Sequence, residues 1–413
     1  MPNNLELLAP AGNMEKLKTA ITFGADAVYI GTPDFSLRTR INEFNFSNIK
    51  RAVDYCKKHN KKIYITVNIF AHSCHLRRAA NHIKKLKEIK VDALIISDPG
   101  ILMLVKKIWP EAVVHLSTQA NCLNWLSANF WHEAGVKRII LGRETSLKDI
   151  KEIHKRNPSL ELEYFVHGAM CMAYSGRCFL SRYFVGRSAN LGDCVQPCRW
   201  KYFISEEKRL DKPLELVEDK HGSYILNSRD LCLIKHLDVL KKAGITSFKV
   251  EGRTKSVYYV ANVIGIYKKA MSIVQSNLSK KEKEKQIDYL YKELETKLVN
   301  RGYTEGFLLG GTADQEIDFS HKKCNWQFCG QVTKAEKKKD GYLVFIKVHN
   351  ALKAGDRVEV VMPFYELIKI KINKMLDSKT KEEIREAHGG QGKIIIIKSK
   401  VKIPIFSVLR RKI

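Results

Sequence analysis

The sequence predicts an α/β protein: a (β/α)8 TIM-like barrel with a long insertion after strand 7, followed by a small C-terminal β-barrel domain. Three observations carry that expectation. Short β-rich runs alternate with amphipathic helical stretches at intervals of about 25 residues through the first 250. Eight such runs occur, which suits a closed barrel better than an open doubly wound sheet. From about residue 325 the helical spacing stops, and short strands follow one another across glycine-containing turns.

The eight runs are LELLAP (5–10), AVYIG (27–31), IYITVNIF (63–70), ALIIS (93–97), VVHLST (113–118), RIILG (138–142), LEYFVHG (162–168) and SFKVEG (247–252). Stretches between them, such as NMEKLKTAITFGA and RRAANHIKKLKEIKV, space apolar residues as amphipathic helices do. The rhythm breaks once. About 78 residues separate Gly168 from Thr246, where about 20 would complete a unit. Within this insertion (168–245), LNSRDLCLIKHL reads as the start of a helix capped by Asp230 or Ser228. So long an excursion from the catalytic rim of a barrel is expected to be functional. Residues 1–260 are therefore assigned to the barrel. Residues 261–324 read as a helical connector ending in the turn signals of NRGYTEGFLLGG, and 325–413 as the basic β-barrel domain with turns at KDG and AGD.

Lys and Arg number 72 against 44 Asp and Glu in the 413 residues, a formal charge of +28. Such an excess favours a nucleic-acid partner, because each phosphate neutralised by Lys or Arg releases counterions. No zinc-finger, helix-turn-helix or RNP-like pattern names that partner. No apolar run approaches the ~20 residues of a membrane span, so no membrane association is expected. The opening MPNNLELLAPAG lacks the basic and apolar regions of a secretory signal, and a reducing, cytoplasmic setting is expected.

Active sites of such barrels lie at the C-terminal ends of the strands. Those ends carry Gly12, Asn68, Asp98, Gln119, Asn121, Arg143, Glu144, His167, Glu251 and Arg253. Single members of this set read as caps or loop hydrogen bonds; their convergence on one rim is the stronger signal. Arg143, Glu144, His167, Glu251 and Arg253 are the catalytic candidates. Arg143 and Arg253 are assigned to substrate carboxylates, which a guanidinium fork grips bidentately.

Ten cysteines are present, and five of them, Cys171, Cys178, Cys194, Cys198 and Cys232, fall in the insertion. In a reduced protein such clustering points to metal or catalysis rather than disulfides. The gaps are loose, without the paired CxxC knuckles of structural zinc. Spacing alone leaves an iron–sulfur cluster, zinc and a catalytic or buried thiol all open. His167, four residues before Cys171, allows a cysteine-nucleophile reading, although a nucleophile leaves the other thiols unexplained. No HExxH or GxSxG motif is present. Cys56, Cys74 and Cys122 read as core thiols, and Cys324 and Cys329 as a weaker second pair.

These residues resemble the collagenase-like peptidase family U-32. Its signature, Glu-x-Phe-x-x-Gly-(Ser/Ala)-aliphatic-Cys, four residues, Gly-x-Cys and aliphatic-Ser, stands here as Glu163, Phe165, Gly168, Ala169, Met170, Cys171, Gly176, Cys178, Leu180 and Ser181. ELLAPAGNMEKLKTAITFGADAVYIG, NLGDCVQPCRWKY, NSRDLC, FKVEGR and NRGYTEGF are similar to the family's as well. Besides members labelled proteases, the family includes branches that look like oxygen-independent hydroxylases of tRNA uridine, of ribosomal RNA cytidine and of ubiquinone. The resemblance implies a four-iron four-sulfur cluster on Cys171, Cys178, Cys194 and Cys232, with Cys198 as the alternate, and Gly168 and Gly176 as turn residues around it. A barrel plus one β-domain, with this charge, resembles the tRNA branch. The expectation is therefore hydroxylation of wobble uridine to 5-hydroxyuridine, with prephenate as co-substrate. tRNA would be held by the basic surface and the C-terminal domain, with a possible paralogous partner. The alternatives are a collagenase-like protease and an RNA-binding protein with structural zinc.

Overall fold

The computed structural model describes residues 5–37, 43–171, 173, 177–200, 228–311, 322, 324–390 and 392–413. Its contacts divide the chain into two compact units: Met1–Leu17, Asp26–Thr254 and Asn300–Lys322 form the first, and Lys18–Ala25, Lys255–Val299 and Lys323–Ile413 the second. The connector expected at 261–324 is thus shared out: its two helices belong with the β-domain, and its last segment returns to the barrel.

From Glu6 to Ala169 parallel strands alternate with helices along the chain. They are β1 (Glu6–Pro10), α1 (Met14–Thr22), β2 (Ala27–Gly31), α2 (Phe46–Lys58), β3 (Lys62–Val67), α3 (Leu76–Ile89), β4 (Ala93–Ile96), α4 (Pro99–Ile108), β5 (Val114–Leu116), α5 (Trp125–Glu133), β6 (Arg138–Ile140), α6 (Leu147–Arg156) and β7 (Glu161–Ala169). Within the insertion lie α7 (Leu180–Val185), β8 (Asp230–Cys232) and α8 (Leu237–Lys242), and β9 (Ile245–Val250) ends it. Because β1 pairs with both β2 and β9, and β7 with both β6 and β9, eight parallel strands close into a barrel. The strands read as continuous apolar runs because both faces are covered; every residue of β2 is buried. Helices α2, α4, α5 and α6 start where the side chains of Asn45, Asp98, Asn124 and Ser146 accept backbone N–H groups. Asp98, placed on the rim by its sequence position, is thus the cap of α4.

The barrel interior also holds charge. Glu6 accepts hydrogen bonds from Arg138 (2.5 Å), Tyr64 (2.6 Å) and Ser247 (2.8 Å). Fully buried Glu163 takes Arg138 at 3.2 Å on one oxygen and Lys249 at 2.9 Å on the other. Burial alone would raise the Glu6 carboxyl, but Arg138 and the hydrogen bonds overcome it and hold the group below its usual range.

The insertion departs from expectation at Asp230. Asp230 lies in β8, which runs antiparallel against β7 and pairs His167 with Cys232. Its carboxylate takes the Arg301 guanidinium (2.5 Å) and backbone N–H (3.1 Å), so its partner is 71 residues away. Helix α8 begins only at Leu237 and has no side-chain cap. A short strand, β10 (Tyr303–Thr304), adds to β8. Of the expected core thiols, Cys56 and Cys122 are buried and Cys74 is exposed.

The second unit contains α9 (Val257–Gln275), α10 (Lys280–Lys297) and an antiparallel sheet. Its strands are β11 (Trp326–Lys338), β12 (Gly341–Val348), β13 (Leu352–Lys353), β14 (Arg357–Met362), β15 (Glu366–Lys371), β16 (Met375–Asp377), β17 (Glu383–Ile384), β18 (Glu386–Ala387), β19 (Ile394–Ser399) and β20 (Val408–Lys412). Eight of them form one sheet in the order β15-β14-β20-β11-β12-β19-β16-β17, and β13 pairs with β18. Residues from both halves, including Val358, Val344, Ile395 and Met375, share one apolar core, so the sheet rolls up as a small barrel does. On its outer side Arg410 is fully buried between Glu359, Glu293 and Asn262. Among the described residues, no helix is long and apolar enough to cross a membrane.

Two stability outcomes follow. Glu163→Gln leaves Lys249 and Arg138 short of a buried counter-charge and is expected to cost about 3–5 kcal/mol, read from denaturant unfolding. His82 on α3 lies between the Phe35 and Phe46 rings (4.9 and 5.0 Å), and burial pushes its imidazole down to about 4. Above the ordinary value of 6.5 the ring is neutral whether the chain is folded or unfolded. As pH falls toward 4 the unfolded chain takes the proton first, so stability is lost across that window, by up to about 3 kcal/mol. Unfolding midpoints of wild type and His82→Leu between pH 7 and pH 4 check this, the variant showing the shallower pH dependence.

Candidate active site

At the C-terminal ends of the strands opens a cavity of about 690 Å3. Tyr29 comes from β2, Thr66 and Asn68 from β3 and its exit, and Ser117 and Gln119 from the turn after β5. Arg143 and Glu144 follow β6, Phe165 belongs to β7, and Met170 and Cys171 follow it. Strand β9 and its exit supply Lys249, Glu251 and Arg253. The volume is that of a small-molecule or nucleotide site, and three cations face two carboxylates across it.

Each cation is fixed by the protein. The Arg253 fork donates to Ser36 Oγ (2.9 Å), Thr66 Oγ1 (3.4 Å) and the Leu37 carbonyl. A Cβ on Gly31 would lie 2.2 Å from Arg253 Nη1, so only glycine leaves room for this fork. Arg143 stacks on the Phe165 ring at 4.2 Å, donates to the Ala169 carbonyl at 2.6 Å and pairs with Glu251. It thereby ties β9 to the segment that leads into Cys171. Lys249, only 3% exposed, sits over the Tyr29 ring (4.5 Å) and the Phe165 ring (5.2 Å). Burial lowers its affinity for the proton, and Glu163 works in the opposite direction. Sequence reasoning passed over Lys249. The available signal was a lysine between Phe248 and Val250 in the middle of a barrel strand.

Of the five catalytic candidates, Arg143, Glu144, Glu251 and Arg253 line this cavity together. His167 is not among its lining residues. Its ring packs 5.4 Å from Tyr303, and its carbonyl accepts the Glu251 N–H at 2.8 Å. The pairing of β7 with β9 shifts register between Phe165 and His167, and that irregularity breaks the alternation that put Glu163 and Phe165 inside. Gly168 has φ +133°, and a Cβ there would stand 2.6 Å from Glu251 Cβ. Its role in the structure is to admit Glu251. Gly176 lies outside the described residues.

Cys171 lines the cavity itself. Burial pushes the Cys178 thiol up, and nearby Cys194 and Cys171 push it further. Backbone N–H groups donate to sulfur at Cys178 (from Leu180) and Cys194 (from Gln196), both at 3.4 Å, and Ser181 Oγ donates to Cys194 at 3.7 Å. The loop between them is braced by a two-pronged Arg187–Asp193 pair (3.1 and 2.8 Å) and by Asn190 Oδ1, which accepts the Cys178 N–H. Cys232 is buried in β8 opposite His167, and Cys198 sits in the Pro197–Arg199 turn. Soft thiols that receive N–H and O–H donors have the donor chemistry an iron–sulfur cluster needs. Among the described residues, no three His, Cys, Asp or Glu side chains stand gathered as a finished metal site.

The chain belongs to peptidase family U32: the family's model matches residues 12–318, and the model of the Peptidase family U32 C-terminal domain matches 324–410. It is similar to "tRNA hydroxylation protein P" of Haemophilus influenzae, 37% identical over 95% of this chain and 92% of that one. It is also similar to the "23S rRNA 5-hydroxycytidine C2501 synthase" of Escherichia coli, 37% identical over 66% of this chain and 40% of that protein. A third relative is the "Collagenase" of Porphyromonas gingivalis, 32% identical over 75% of this chain and 74% of that one.

The contact at Gly168 gives a direct test. Gly168→Ala is expected to cost about 1–3 kcal/mol from its backbone conformation and the clash with Glu251. In a Glu251→Gly background, which removes the facing Cβ, thermal unfolding is expected to show a smaller loss.

Proposed function

We propose that this chain is an RNA-modifying enzyme that hydroxylates carbon 5 of a uridine in tRNA. In this reading Cys171, Cys178, Cys194 and Cys232 hold a four-iron four-sulfur cluster beside the barrel-mouth cavity, and prephenate is the co-substrate. The observation that carries the reading is the position of Cys171: the first thiol of the insertion lines the same cavity as Arg143, Lys249 and Arg253. The names of the tRNA and ribosomal RNA relatives support the same reaction class.

A bound cluster would supply redox-active, Lewis-acidic iron, chemistry that side chains lack for placing oxygen on a pyrimidine carbon. The protein's own residues supply the rest. Arg143, Lys249 and Arg253 give the cavity the positive potential that a dicarboxylate such as prephenate needs. Glu163, 2.9 Å from Lys249 Nζ, favours the ammonium form against the cost of burial. Phe165, Ile95 and Ile140 provide apolar wall for a ring. Cys194 is taken as the third ligand, its sulfur accepting the Gln196 N–H (3.4 Å) and the Ser181 hydroxyl (3.7 Å), with Cys198 as the alternate. A peptidase reading needs a base at Cys171, and the nearest histidine in sequence, His167, packs against Tyr303 and β8.

The test combines two measurements. Protein purified without oxygen is expected to carry about four iron and four sulfide per chain, lost in Cys171→Ser and Cys232→Ser. A deletion strain is expected to lose 5-hydroxyuridine-derived nucleosides from its tRNA, restored by the wild-type gene and not by Cys171→Ser. Zinc in place of iron, or unchanged nucleosides in the deletion strain, would sink the reading.

A further inference from the structure

The rolled sheet of the second unit has two kinds of outer surface. Across β14 and β20 it is sealed: Arg410 has no exposure and is held by Asn262 of α9 and Glu293 of α10, both at 2.9 Å. Across β12, β19 and the far half of β11 it is open. Here the register sets Lys334 opposite Phe345, Glu336 opposite Leu343, Lys338 opposite Gly341, and Leu343 opposite Lys398. Residues paired across an antiparallel ladder share a face, as do alternate residues along a strand. These side chains therefore share the face opposite Val344, Ile346, Ile395 and Ile397, which belong to the core.

The open face is cationic and holds an aromatic ring. The Lys334 and Lys338 side chains are 60% and 55% exposed, and Lys398 and Lys381 are exposed as well. Lys334 Nζ stands 5.3 Å from the centre of the half-buried Phe345 ring, and Lys381 Nζ 5.9 Å. Glu336 lies among them and pairs with Lys334 (2.6 Å) and Lys338 (3.2 Å). Glu383, on the same face two strands beyond β19, is paired with Lys374 (3.1 Å), so the four lysines around Phe345 keep a surplus that a merely solvated sheet does not require. Ammonium groups around a partly open ring suit a polyanion that carries flat bases, with phosphates going to the lysines and a base to the ring.

We propose that this face, Lys334, Lys338, Lys381 and Lys398 around Phe345, docks the sugar–phosphate backbone of the tRNA on which the barrel acts. The proposal rests on the RNA reading above and adds to it where the RNA is held. It is a positioning surface and takes no part in the chemistry at the cavity.

Affinity of the full chain for unmodified tRNA, measured against salt concentration, tests it. Lys334→Glu/Lys338→Glu/Lys398→Glu is expected to weaken binding at least about thirtyfold and to flatten the salt dependence by about two counterions. The control Lys280→Glu/Lys281→Glu/Lys285→Glu changes the net charge equally, on exposed positions of α10, and is expected to stay within about threefold of wild type. Phe345→Ala is expected to lose about tenfold through stacking alone. Thermal unfolding of each variant confirms that the fold is kept. Equal losses in both triple variants, or none in the first, would overturn the assignment of this face while leaving the RNA reading intact. Loss of binding to anionic phospholipid vesicles, with tRNA binding unchanged, would hand the face to a membrane surface and overturn it too. No tRNA binding by wild type would overturn both readings, and the nucleoside analysis of the deletion strain tells that case apart.

Discussion

Inside the barrel the Glu163 carboxylate takes Lys249 on one oxygen and Arg138 on the other, with no exposure to solvent. Arg138 passes the connection to Glu6, and Glu6 to Tyr64 and Ser247. One network thus joins β1, β3, β6, β7 and β9, including both pairings that close the ring. Buried Glu163 and partly buried Glu6 face the buried cations Arg138 and Lys249, with Glu161 also on Arg138 at 2.8 Å, so the cost of desolvation is offset only while every member stays in register. A slip of one residue on any of these strands would bury an uncompensated charge, which apolar packing alone would not penalise. The same pair prepares the cavity, because Lys249 reaches the mouth only while Glu163 compensates it from below.

The second unit repeats this logic in a different place. Arg410 is wholly buried on the outer side of its sheet, where Glu359, Glu293 and Asn262 use its whole fork. Charge is therefore not spread evenly over this strongly basic chain. Interior cations are matched group by group, and the surplus lies in exposed lysines. That is the distribution expected when positive charge serves a long-range partner rather than the fold. Composition alone therefore favours a polyanionic partner and carries no information on which surface would meet it.

How much of this was legible in the sequence depended on how local the cause was. Barrel strands buried on both faces appear as short apolar runs, and βα repetition placed all eight of them to within a few residues. The rim arginines followed from position alone. Asp230 was misjudged because a Ser-x-Asp before an apolar stretch has the look of a helix cap; its real partner, Arg301, is remote in sequence. Lys249 was missed because a lysine inside an apolar strand makes sense only beside Glu163, and that pairing exists only once β7 and β9 meet. His167 followed strict alternation in the sequence, and a register shift of one residue, invisible before folding, moved it off the cavity.

The family signature becomes intelligible as one strand read from floor to mouth. Glu163 carries the buried charge, Phe165 backs Arg143 and Lys249, and Gly168 makes space for Glu251. Ala169 offers the carbonyl that Arg143 grips, and Cys171 opens into the cavity. From Glu163 to Cys171 is eight residue steps, at most about 26 Å of extended chain. Each signature position thus fixes a different layer, and no residue can be inserted without moving the thiol relative to the cations. The spacing sets the distance between the charge that closes the barrel and the sulfur that lines the cavity. The residues after Cys171 carry no such constraint from the strand, which is why Cys178 and Cys194 depend instead on the Arg187–Asp193 brace and on N–H groups donated to sulfur.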